Sequence, residues 1–66
     1  SMMTIKLKLE LASGQSMNGA PLELLSKGVV IGRAVVDERG SAAFDARLEA
    51  ADLAVRVDRS ILRTGG

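Results

Sequence analysis

Chemistry at neutral pH needs a group that hands over a proton, attacks as a nucleophile or holds a metal, and this chain carries few of them. It has no histidine and no cysteine. That removes the commonest general base, the thiolate nucleophile and the soft metal ligands. Ser13, Ser16, Ser26, Ser41 and Ser60 have no imidazole to activate them, and each stands in a loop or at a strand edge. Asp37, Glu38 and Asp45 are the candidates for hard-cation ligands. Their spacing lacks the dense oxygen series of a calcium loop, and turn formation accounts for Asp37 better. A carboxylate pair for acid–base work needs a buried cleft, for which a chain of 66 residues has little room. Lys6 or Lys8 with Asp58 is the combination open to a side-chain isopeptide. Strand alternation puts all three on polar faces, where they read as solvated charge. The chain is therefore expected not to be an enzyme, with no catalytic residue, no cofactor and no metal assigned.

Charge says little more. Nine basic and eight acidic residues leave a net charge of +1. Arg56, Arg59 and Arg63 form the main basic concentration, interleaved with Asp52 and Asp58. A nucleic-acid binder shows a basic face, and a single-strand binder adds aromatic platforms for the bases. Phe44 is the sole aromatic residue, so neither base stacking nor sugar stacking is expected. No apolar run reaches the roughly 20 residues of a membrane-spanning helix, and the alternating N-terminus is unlike a signal peptide. The expected compartment is the cytoplasm, with a processed secreted chain as the alternative. Ser1 before Met2 reads as an expression remnant.

The elements that must position these residues are strands. Thr4–Leu11 alternates strictly, with Ile5, Leu7, Leu9 and Leu11 on one face and Lys6, Lys8 and Glu10 on the other. Ala12–Gly19 is a Ser-, Gly- and Asn-rich loop. Ala20–Leu25 fits either a strand presenting Ala20, Leu22 and Leu24 or a short helix opened by Pro21. Gly28 ends it in both cases. Val29–Val36 is β-branched and apolar on both faces, so it belongs in the centre of a sheet or at an interface. Gly32 in its middle marks a bulge or a close backbone approach. Asp37–Gly40 is a turn, with Gly40 at positive φ. Ser41–Leu48 turns Ala42, Phe44, Ala46 and Leu48 inward. After a break at Glu49–Asp52, Leu53, Val55 and Val57 face in. The expected core is Ile5, Leu7, Leu9, Leu24, Val35, Phe44, Val55 and Val57. Strands recurring every ~10 residues predict an all-β domain, a small antiparallel sandwich or barrel of five to seven short strands. Residues 1–66 make one domain, with 63–66 as a flexible tail.

The middle of the chain carries a resemblance. Gly19-Ala20-Pro21-Leu22, then Gly32-Arg33-Ala34-Val35-Val36-Asp37-Glu38-Arg39-Gly40-Ser41-Ala42-Ala43-Phe44, then Leu53-Ala54-Val55-Arg56-Val57 resembles the carboxypeptidase regulatory-like, or transthyretin-like, β-sandwich. The match covers residues 19–58 and departs from the family in length and in lacking the tyrosine common on its last strand. It implies a non-catalytic accessory or interaction module. The end of the chain carries a second resemblance. Leu62-Arg63-Thr64-Gly65-Gly66 is similar to the diglycine tail of ubiquitin-like sulfur carriers. That resemblance implies an α+β β-grasp fold with a helix near Pro21–Lys27, and activation of the Gly66 carboxylate, with Gly65 and Gly66 as the working tail.

Two functions follow. The first is a binding or accessory module acting through protein–protein contacts, as a homo-oligomer or a small subunit of a larger complex. Val29, Ile31 and Val35 are its interface candidates, because a two-layer fold this small covers only one face of their strand. The alternative is the carrier. A helix at Pro21–Lys27 favours the carrier, and a strand there favours the module. Neither reading has a nucleic acid or a membrane as partner.

Overall fold

A computed structural model describes residues 1–58. The chain forms five strands, β1 (Met2–Lys8), β2 (Pro21–Ser26), β3 (Val29–Val35), β4 (Ser41–Arg47) and β5 (Leu53–Val57). Among the described residues there is no helix. The strands make two antiparallel sheets, β1–β4 and β3–β2–β5. This is a small all-β sandwich.

Segment 20–27, open between helix and strand, is the central strand β2. The reason is local. Lys27 and Gly28 have φ of 52° and 80°, and Ser26 pairs with Val29 across them. A two-residue loop with both φ positive is the tight hairpin connection whose twist matches that of the flanking strands. The hairpin commits Pro21–Ser26 to an extended ladder and removes the helix that a β-grasp would place there.

The core lies between the sheets. Leu22 and Leu24 from β2, Val36, and Ala42, Phe44 and Ala46 from β4 are buried in one cluster. Ile5, Leu7 and Leu9 pack against it half-buried, as do Met17, Ala20, Ala34 and Val55. Phe44 stands opposite Ile5 in the ladder and is 2% exposed. Gly32 combines both roles open to it. The register of β2 and β3 shifts beside its partner Leu24, leaving Ile31 as the extra residue of a bulge. A Cβ on Gly32 would also sit 3.7 Å from the carbonyl of Asp45 and 3.8 Å from the Phe44 ring, so β3 lies close over β4.

Four inward assignments are corrected. Val35 is 62% exposed and Leu48 55%. Val36 takes the buried place, because Gly32 and Ala34, paired with the core residues Leu24 and Leu22, set the inward phase of this part of β3, and Val36 continues that row. Leu53 and Val57 are exposed, since β5 is an edge strand and the two-stranded sheet opposite is too narrow to cover it. The first strand is also displaced. It starts at Met2 and stops at Lys8, so Leu11 lies in the loop and is exposed.

The turns follow side-chain chemistry. Asp37 Oδ1 accepts the amides of Arg39 (2.8 Å) and Ser41 (2.9 Å). Gly40 has φ 81°, and a Cβ there would meet the Leu9 carbonyl at 3.0 Å. Ser26 closes the other end of the sandwich, donating from Oγ to the Ala51 carbonyl at 2.6 Å.

Candidate binding surface

The bulge divides β3 into two stretches of opposite phase. Gly32 and Ala34 pair with Leu24 and Leu22 and face the core, Arg33 and Val35 face away from it, and beyond the bulge Val30 pairs with Leu25, which lies outside the core cluster. The three interface candidates are all exposed, Val29 65%, Ile31 39% and Val35 62%, but they do not share one face, since Ile31 borders a groove with Asp45 and Ala46 of β4. Arg33 stands between Ile31 and Val35, and its charge is directed sideways. Arg33 Nη2 donates to Glu23 Oε2 at 3.3 Å, and its Nε lies 3.5 Å from Asp58 Oδ2. From the other side, Arg56 Nε donates to Glu23 Oε1 at 2.9 Å. Register explains this ladder, since Glu23 pairs with Arg33 on β3 and with Arg56 on β5.

The two carboxylates are buried and the two guanidinium groups are exposed. Side-chain exposure is 9% for Glu23 and 7% for Asp58, against 64% for Arg33 and 60% for Arg56. A buried carboxylate needs charge-assisted hydrogen bonds to offset its lost hydration. The arginines supply them while keeping their outer edges in water. Asp58 is thus a buried partner of Arg33, which corrects its assignment to a solvated face. Lys6 and Lys8 stand on β1, in the other sheet. Arg56, one of the three basic residues singled out, answers Glu23; Arg59 and Arg63 lie outside the described residues, as do the tail residues Gly65 and Gly66. The ladder was missed in the sequence because Arg56 and Asp58 are far from Glu23 along the chain, and Arg33 faces Glu23 only once the β2–β3 register is fixed. Their shared strand parity is the signal that could have found it.

Two shallow grooves border β3. One, of about 490 Å³, lies between Ile31 and Ser26 on one side and Met2, Asp45, Ala46 and Arg47 on the other. The other, of about 210 Å³, is bordered by Pro21, Leu22, Ala34 and Val35 beside Arg33 and Asp58. A third depression, of about 540 Å³ at the loop end, mixes Lys8 and Arg39 with Glu10 and Glu38. Its charges balance, so it selects for neither anions nor cations.

Two further carboxylates do structural work. Asp45 Oδ1 accepts from Thr4 Oγ1 at 3.1 Å. The Ser41 amide is the main influence holding the Asp37 carboxyl below the ordinary aspartate range; partial desolvation opposes it, and the Arg39 amide and the charges of Lys6 and Arg39 add to it. Among the described residues no three carboxylates gather where a metal ion could sit. Comparisons with protein-family models, characterised proteins and solved structures find no match to this chain.

Proposed function

We propose that this chain is a non-catalytic β-sandwich module that acts by protein–protein contact, with the edge strand β3 as its contact surface. The observation that carries the reading is the exposure of Val29, Ile31 and Val35 along this one edge strand. Single exposed apolar residues are ordinary, whereas several along one edge strand beside shallow grooves mark a surface that another protein covers. The ladder supports the same use, because Arg33 enters an interface with its charge already answered by Glu23 and Asp58. A desolvated unpaired arginine would oppose binding, and a paired one costs less. The partner class is an apolar protein surface, in an assembly of which this chain is an accessory subunit.

Site-specific photo-crosslinking tests this in the native cell. A photoreactive residue at Val29 or Val35 is expected to give one discrete adduct with another protein, and Ile31→Lys is expected to abolish it. The same residue at Ala12, exposed in the first loop, is expected to give none. No adduct from β3, or the same adduct from Ala12, overturns the proposal.

A further inference from the structure

We infer that two copies of this chain pair antiparallel along the open edge of β1, about a twofold axis at Ile5. The dimer joins the two β1–β4 sheets into one sheet of four strands. The edge involved belongs to the other sheet, and the inference does not depend on the use of β3.

The edge follows from register. The β1–β4 ladder pairs residues from Met2↔Arg47 to Lys8↔Ser41. It extends at both ends through hydrogen bonds that fix its phase, Leu9 N–H to Gly40 O at 2.7 Å and Leu48 N–H to Ser1 O at 3.0 Å. In an antiparallel ladder, residues that bond to one neighbour alternate with residues that bond away from it. The odd residues of β1 therefore bond to β4. The N–H and C=O groups of Met2, Thr4, Lys6 and Lys8 point to the other side, where no strand stands among the described residues.

The other edges make poorer templates. β3 is broken by its bulge at Ile31, a device that blunts edge pairing. β5 is shorter, at five residues. The far edge of β4 is occupied, by Asp37 bonding to both backbone groups of Ser41 and by Gly32 lying against the Asp45 carbonyl. β1 is seven residues long with an unbroken register. Burial points the same way. The inward residues of β4 are fully buried, while Met3, Ile5 and Leu7 of β1 are only half-buried. A strand beside β1 covers what they still expose.

Charge selects a second copy as that strand and sets its register. With the axis at Ile5, Thr4 faces Lys6 of the second copy and Met2 faces its Lys8, so the whole strand is used and outward groups meet outward groups. Thr4 already hydrogen-bonds Asp45 at 3.1 Å, which places a carboxylate next in line from Lys6 of the second copy. An axis at Lys6 would set the two Lys6 side chains face to face, and an axis at Thr4 would leave Lys8 unpaired. The lysines thus protect this edge from chance partners while permitting one self-pairing.

Sedimentation equilibrium of the whole chain is expected to show a reversible dimer. Lys6→Pro removes an outward N–H that an edge strand does not need. It is expected to weaken dimerisation by roughly tenfold or more while circular dichroism stays that of the folded chain, since each strand loses a ladder bond. Lys6→Arg is expected to dimerise normally. The chain has no cysteine, which allows a second readout. At the axis the two residue-5 Cα atoms come to about 4.5 Å, within disulfide reach, so oxidised Ile5→Cys is expected to link efficiently and Leu7→Cys is not. A chain monomeric at millimolar concentration overturns the inference. So does a dimer that Val29→Lys disrupts but Lys6→Pro leaves intact, or one in which Leu7→Cys links as well as Ile5→Cys.

Discussion

Glu23 sits at the centre of the central strand with almost no access to water, yet it is a carboxylate. Two arginines make that placement tolerable, and they are not equivalent. Arg33 reaches both Glu23 and Asp58, while Arg56 reaches Glu23. Losing Arg33 leaves two buried carboxylates short of a partner, and losing Arg56 leaves one. Exposure of the guanidinium groups screens each interaction and lowers its value below that of a fully buried pair. Arg33→Ala is therefore expected to destabilise the fold by about 1–2 kcal/mol, and Arg56→Ala by roughly half as much. Urea denaturation of the two variants measures the difference, and equal losses would show that Asp58 does not rely on Arg33.

Asp37 works through its charge at an exposed site. Its folded-state carboxyl titrates below the ordinary aspartate value, chiefly because of the Ser41 amide. The sign follows from proton linkage. A depressed carboxyl binds fewer protons in the folded state than in the unfolded one, so its contribution is present above the unfolded pKa and disappears as pH falls through the folded one. Between roughly pH 5 and pH 2, stability of the parent chain is expected to fall more steeply than that of Asp37→Asn. The amide can still accept hydrogen bonds but has no charge to lose. Chemical denaturation across that range reads the two slopes.

Among the elements, the β2–β3 hairpin decides most. Its loop holds Lys27 in the left-handed region, φ 52°, where a long side chain is strained and Asn is tolerated. Gly28 beside it already meets the demand of the turn. Lys27→Asn makes the sequence Asn-Gly, the preferred pair for this loop, and is expected to raise stability by some tenths to about 1 kcal/mol. A thermal melt is the measurement, and an unchanged or lower midpoint would argue against this turn geometry. The hairpin also explains why the segment was ambiguous in sequence. Pro21-Leu22-Glu23-Leu24-Leu25 has no clean alternation, because β2 is central and is buried on both faces. Only β1 and β4 show the one-face alternation that a lone sequence displays well.

As a whole, the molecule rests on a thin core with one large ring. Phe44 is its largest fully buried side chain, and its nearest companions on β4 are Ala42 and Ala46, which are too small to fill a void. Phe44→Ala is expected to cost ~3–5 kcal/mol, near the total stability of a domain this small. A variant that stays folded with only a slight loss would mean that the core is elsewhere. The pairing of β1 with a second copy and the cover of β3 by a partner would both add apolar burial that the single chain cannot supply, which is how small domains without disulfides gain stability.

Sequence alone determined the class of this fold, because period-two alternation and turn residues are local signals. Thr4–Lys8, Ser41–Arg47 and the Asp37–Gly40 turn were legible for that reason. The tertiary structure decided what depends on neighbours. It placed Val36 rather than Val35 in the core, since only the approach of β4 defines which row is inside. It turned Asp58 inward to Arg33, and it assembled the Glu23 ladder by setting the distant β5 beside the β2–β3 hairpin. Burial and ion pairing are properties of two surfaces brought together, and one strand read by itself carries only half of that information.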